Sequence, residues 1–371
     1  MREGILQCDG ISSFYLHDHL FEYSGKKMVR RGLVARVKLE PWGRGIYPHE
    51  ETSPKAKSNR LQLLRTCRAN FSPLLSLYHD SERKVASILS QIVQGKPLMS
   101  LQAKRSNLPD SNEFHTLWAI TDSETKRELS QLLFSRRLYI SDGHHRYETA
   151  LIYQQERAQE QSDSFDFSVI ASKAKQSLAG KGAFNYVMME LVEFSDPGLL
   201  VLPLHRLVCG IAPSILVGLA DRLSKFFIVE SCALKAGRSG GLGLPIDSCL
   251  GIVGLQPSSL VALKRGQDIC FELMMPINKS RAYREFGVST LNHIVLDGVL
   301  SEAKDLDVAY TVDVKEAYPQ IKESKYQLAF LLSPPRPEMV KAAADAQGRM
   351  PRKSTYFYPK LPAGLVINPL D

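Results

Sequence analysis

The run Tyr139-Ile140-Ser141-Asp142-Gly143-His144-His145-Arg146-Tyr147-Glu148-Thr149-Ala150 constrains the fold of this chain more than any other stretch. Leu138 to Ile140 is apolar and β-prone, and beyond Gly143 the positions Tyr147, Ala150 and Leu151 follow helical spacing. The pattern reads as strand, tight turn, helix, with Asp142 as the N-cap and Gly143 as the first helical residue. Backbone N–H groups and the positive end of the helix dipole then point out of the turn, where an anion is stabilised. Arg146 adds a forked donor suited to phosphate oxygens. His144 and His145 diverge by about 100° on a helix and do not form a chelating pair. His145 with Glu148 on one face supplies only two ligands, so no metal is assigned. The dipole disfavours imidazolium while Asp142 favours it, leaving His144, His145 and Asp142 as candidates for proton transfer. The competing reading is a capped helix start whose histidines bond nearby backbone.

A basic stretch precedes this turn. From Lys26 to Arg68 there are twelve Lys or Arg against three Glu, enough for a local positive field. Phe14 to Glu22 and Met28 to Leu39 alternate around Ser24-Gly25 as a hairpin would, which assigns Lys26, Lys27, Arg30 and Arg31 to a solvated outer face. Lys57, Arg60, Arg65 and Arg68 lie on or beside an expected helix over Ser58 to Ala69. Arg60 and Arg68, two turns apart, can share a face that meets phosphate. His49, Glu50 and Glu51 precede that helix on a loop, where Glu50 is a candidate general base or Mg²⁺ ligand.

Several segments together resemble the bacterial and archaeal family called domain of unknown function 1015. They are the Asp142-Gly143-His144-His145-Arg146 string, Pro48-His49-Glu50 with Lys57 and Arg60, Arg65 to Pro73, Asn185 to Met189, Asp196 to Leu199, Leu202 to Leu207, and Arg349 to Lys360. The histidine turn is also similar to the Gly-x-His-Arg turn of the ParB and sulfiredoxin superfamily, whose members include nucleotide-dependent phosphoryl-transfer enzymes such as free-serine kinases. Sulfiredoxin chemistry needs a cysteine after the glycine, where this chain has His144. The family pattern opens upstream with a Pro-Pro-Tyr-Asp segment that is missing here, and polar sequence over 158–184 reads as an insertion. Val312 stands where members commonly have histidine. These departures leave room for an inactive truncated member.

Composition bounds the remaining classes. The net charge is +8 and 44% of the 371 residues are hydrophobic, ample for a sizeable core. No apolar run approaches the ~20 residues of a membrane helix, and Met1-Arg2-Glu3-Gly4 does not open a signal peptide, so a cytoplasmic protein is expected. The six cysteines are scattered without metal-ligand spacing. Cys67, between Arg65 and Arg68, is a minor nucleophile candidate. Gly237 to Gly243 is glycine-rich but lacks the Gly-Lys-Ser/Thr ending of a phosphate loop.

Further strands are expected over Tyr186 to Phe194 and Leu199 to Val208, forming a hairpin, then over Phe226 to Val229 and Gln327 to Leu332. Helices are expected over Ile215 to Lys225, Thr290 to Ala303 and Glu338 to Ala346. His205, Arg206, Lys353, Ser354 and Lys360 are candidate cleft residues beside His49.

The expectation is a mixed α/β or α+β protein with a ParB/sulfiredoxin-like element. It comprises a family core over 1–210, a middle region over 211–304 and a closing segment over 305–371. Its expected function is nucleotide-dependent small-molecule phosphoryl transfer or nucleotide hydrolysis, with Mg²⁺ accompanying the nucleotide. Gly143, Lys57, Arg60 and Arg68 hold phosphate, while Arg146 stabilises developing charge. The alternative is a non-catalytic nucleotide- or nucleic-acid-binding regulator. Sequence-specific DNA reading is not expected, because no helix-turn-helix follows the histidine motif.

Overall fold

The computed structural model describes residues 6–105, 108–163, 182–233, 248–256, 259–266 and 269–371. It divides into two compact units. The first comprises Met1–Pro48, Thr52–Leu200 and Pro359–Asp371, and the second His49–Glu51 and Val201–Tyr358. Three consecutive regions were the expectation. The division is instead twofold and interleaved, because the chain end returns to the first unit, where Asn368–Pro369 pairs with Ala69–Asn70.

The first unit is built on an eight-stranded mixed sheet. Its strands are β1 (Phe14–Tyr23), β2 (Lys26–Lys38), β3 (Ile46–Pro48), β5 (Leu74–Tyr78), β6 (Met99–Arg105), β7 (Leu108–Ile120), β8 (Leu138–Asp142) and β9 (Tyr186–Glu193), with β4 (Ala69–Asn70) outside it. The order is β3-β8-β5-β9-β2-β1-β7-β6. The hairpin of β1 and β2 forms as the alternation predicts, turning through Ser24 and Gly25 at φ 51° and 76°, the positive values a two-residue turn requires. Helices α1 (Pro54–Cys67), α2 (Lys84–Ile92), α3 (Ser123–Phe134) and α4 (His144–Asp163) complete the unit. One apolar cluster, including Leu16, Leu33, Leu74, Ile140, Tyr147 and Met189, holds its core.

The second unit carries a six-stranded antiparallel sheet, including His205–Cys209, Ser248–Val253, Ser259–Arg265 and Leu328–Leu332. It has its own core around Val208, Leu250, Ile252, Leu263, Phe330 and Ile294.

Several local expectations are corrected. The helix read as Ser58 to Ala69 starts earlier, at Pro54, and ends at Cys67, where Arg68 turns left-handed at φ 46°. Pro at the first helical position is pre-set for a helix start, which explains the early beginning. The Leu199 to Val208 run is not one strand in a hairpin with β9. It breaks at Pro203 into Leu200–Leu202, which pairs with Tyr356–Tyr358, and His205–Cys209, which joins the six-stranded sheet. In place of one helix over Ile215 to Lys225 there are two short ones, Pro213–Val217 and Leu219–Ser224, and Leu291–Val299 is π-helical. The insertion 158–184 lies outside the described residues except at its two ends, and Gly237–Gly243 lies wholly outside them. Among the described residues no helix is long and apolar enough to cross a membrane.

Candidate functional site

β8 runs into α4 through Gly143, whose φ of +103° no residue with a side chain adopts comfortably. The helix begins at His144, and the Gly143 carbonyl accepts the Tyr147 N–H at 2.9 Å. Gly143 therefore occupies the capping position that the sequence reading gave to Asp142. The Asp142 carboxylate turns instead toward cations: it accepts from Arg146 Nη2 at 2.7 Å and from Lys360 Nζ. Burial raises the pKa of Asp142, but Lys360 and Arg146 more than offset it, so the carboxyl stays below its ordinary range. Burial lowers the pKa of Arg146, Asp142 opposes that, and the charge of Arg60 adds to the lowering, which places Arg60 in the same electrostatic neighbourhood.

Arg146 is not a forked donor held open for phosphate. Its Nη1 donates to the carbonyls of Ser72 and Pro73 at 3.1 and 2.7 Å, locking the turn to the start of β5. His145 is half-buried and bonded to backbone. Its Nε2 accepts the Ser53 N–H at 2.9 Å, which fixes the neutral imidazole with its proton on Nδ1. Glu148, one turn on, accepts from Thr52 Oγ1 at 2.6 Å and from Lys57 Nζ at 3.0 Å. These contacts join the first turns of α4 to the start of α1, and Arg65 continues the seam by pairing with Glu156. His144 is buried. Arg60 is exposed, and Arg68, beyond the helix end, is half exposed and 3.7 Å from Asp371. Arg60 and Arg68 thus do not share one helical face. Cys67 is an exposed free thiol.

His49, Glu50, His205, Arg206, Lys353 and Ser354 belong to the second unit. Arg206 is buried, donates to the Lys353 carbonyl at 2.9 Å and to that of Leu204, and stacks over Tyr310 at 4.9 Å. Burial lowers its pKa to about 10, with Tyr310 and Glu50 opposing. His205 accepts the Leu332 N–H through Nδ1 at 3.1 Å, and burial pushes its pKa down to about 4. His49 meets Thr355 Oγ1 at 2.9 Å, and Ser354 donates to the Pro351 carbonyl. Of these contacts, that of Arg206 with the Lys353 carbonyl ties the segment Pro351–Tyr358 to the six-stranded sheet.

Sequence reasoning missed a cluster in the first unit. His17 and His19 alternate along β1, Arg30 and Gly32 lie opposite them on β2, Glu113 and His115 alternate along β7, and Glu190 lies on β9. The residue expected on a solvated face, Arg30, is fully buried there and donates to the Pro359 carbonyl at 2.6 Å. Lys26 and Lys27 are exposed as expected, and Arg31 forms a two-pronged pair with Asp18 at 2.7 Å. A Cβ on Gly32 would lie 2.4 Å from Glu190 Cγ, so this glycine makes room for the carboxylate to reach His17. The signal was present as His-x-His, Arg-x-Gly and Glu-x-His at period two.

The fold and site define an α+β protein whose first unit joins a cation-rich strand–turn–helix to a mixed sheet. The chain belongs to the family described as protein of unknown function (DUF1015), which matches residues 1–308. No curated protein matches it. Among solved structures it is similar to a conserved hypothetical protein from Pyrococcus furiosus, at 12% identity over 89% of this chain and 94% of that chain, with a TM-score of 0.39. It is also similar to a free serine kinase in complex with AMP, at 14% identity over 89% and 90% of the two chains and a TM-score of 0.39. SbnI with a C-terminal truncation, from Staphylococcus aureus, has 10% identity over 88% and 84% and a TM-score of 0.39.

Proposed function

We propose that the turn around Asp142 binds the phosphate of a nucleotide, and that the protein is a nucleotide-dependent small-molecule phosphotransferase or nucleotide hydrolase. The observation that carries this reading is the charge balance at the turn. Arg146, Lys360 and Arg60 converge there, and Asp142 is the carboxylate that holds two of them. Cations in excess beside the positive end of a twenty-residue helix favour an anion.

Within that site Arg146 and Asp142 form the frame, while the partly exposed Lys360 and Arg60 face phosphate oxygens. Asp142, already held by two cations, has little basicity to offer, so Mg²⁺ would arrive with the nucleotide. A binding role without turnover is favoured by one further observation: His145 is committed to the Ser53 N–H and Asp142 to its cations, which leaves neither ready to take a proton.

Phosphorus NMR of the protein with Mg²⁺ and ATP, ADP or CTP, with and without hydroxyl metabolites, tests both readings. Lys360→Met is expected to weaken nucleotide binding about tenfold, or ~1.4 kcal/mol. New phosphate resonances that disappear in that variant support transfer or hydrolysis. Line broadening without turnover supports the binding role, and no effect of nucleotide on either spectrum or melting temperature removes the proposal.

A further inference from the structure

His19, Glu113 and His115 stand together in the interior of the first unit, and one donor atom from each lies within 4.8 Å of the other two. All three are buried, at 0%, 5% and 2% exposure. The register explains the grouping. His19 is directly opposite His115 across the β1–β7 ladder, and Glu113, two residues from His115, points to the same face. Two imidazoles and one carboxylate are a ligand set for a divalent first-row transition metal, zinc above all.

The surroundings supply the outer support such a site needs. His115 Nδ1 is 3.0 Å from His17 Nε2, and His17 Nδ1 is 2.9 Å from Glu190 Oε2, a carboxylate–histidine relay that orients the His115 ring. Hydrogen-bonded second ligands of this kind hold metal-binding imidazoles in place. Arg30 brings a positive charge near His19, at 3.4 Å from Nδ1, but it also acts on Glu190, which answers that charge. Glu113 supplies the carboxylate of the set.

Beside the cluster is a cavity of about 10 Å³ lined by His17, Glu190 and apolar side chains, about the room one water needs. Metal–ligand bonds of ~2.0–2.2 Å separate tetrahedral donors by ~3.4 Å. His19 Nε2 and Glu113 Oε2 are hydrogen-bonded at 2.9 Å, and a metal would replace that proton and spread the pair by about half an ångström, with the His115 donor within 4.8 Å of both.

We propose that His19, Glu113 and His115 form a buried structural site for a divalent transition metal that clamps β1 to β7. The test is the metal content of the full-length protein, measured by mass spectrometry after incubation with Zn²⁺ at neutral pH and removal of the excess. About one equivalent per chain is expected, with a rise in melting temperature over chelator-treated protein. His19→Asn with His115→Asn should lose that equivalent, and the single change Glu113→Gln, nearly isosteric, should weaken binding at least tenfold with its circular dichroism unchanged. Wild-type protein that is folded, takes up no Zn²⁺ or Co²⁺ and melts identically with and without chelator overturns the proposal. So does an equivalent of metal that survives in both variants.

Discussion

At the scale of single residues, Gly143 shows how backbone geometry decides what a motif can do. A side chain there would meet Leu74 Cγ and Arg146 Nη2, each at 3.0 Å, on top of the strain of φ +103°. Gly143→Ala is therefore expected to destabilise the protein by about 1–3 kcal/mol, measured by urea unfolding. A change below ~0.5 kcal/mol, the scatter of surface substitutions, would mean the turn relaxes without cost. The residue types of the turn were legible in the sequence, but their partners were not. Arg146 looks like a ligand donor in one dimension and is a brace in three, because Ser72 and Pro73, more than seventy residues away, present their carbonyls to it.

At the scale of elements, the strand His205–Cys209 joins local chemistry to pH. His205 is buried as the neutral base, with a folded pKa of about 4, below the unfolded value of roughly 6.5. Between those values the unfolded chain binds more protons than the folded one, so stability rises with pH across that window. The contribution is complete above about pH 6.5 and is lost as pH falls toward 4. His205→Asn keeps an acceptor for the Leu332 N–H without titrating. Its unfolding free energy is expected to fall less steeply between pH 6.5 and 4 than that of the wild type. Equal slopes for the two proteins would show that His205 stays accessible to protons. The hairpin of β1 and β2 was readable from alternation and the Ser24-Gly25 turn. Its buried polar face was not, because alternation separates two faces without saying which one meets water.

At the scale of the whole molecule, the chain end is a structural part of the first unit. Deleting Pro359–Asp371 removes the carbonyl that receives Arg30, the Lys360 amine on Asp142, and Asn368, which binds Arg36 and Asn70. Hydrogen exchange of that truncated chain is expected to quicken in β1, β2 and β5, while strands Ser248–Val253, Ser259–Arg265 and Leu328–Leu332 keep their protection. Uniform loss of protection in both units would show that they do not unfold separately. What the sequence by itself determined was the α+β class, the strand–turn–helix at Asp142, the β1–β2 hairpin and a few further elements such as β9 and Leu328–Leu332, since these depend on periodicity and turn chemistry within a dozen residues. Only the tertiary structure decided that Lys360 meets Asp142, that Arg30 is buried, and that His17, His19, Glu113, His115 and Glu190 share one interior. The physical reason is strand pairing: contacts between β1, β7 and β9 span about a hundred residues or more, and only sheet order and register bring their side chains to one face.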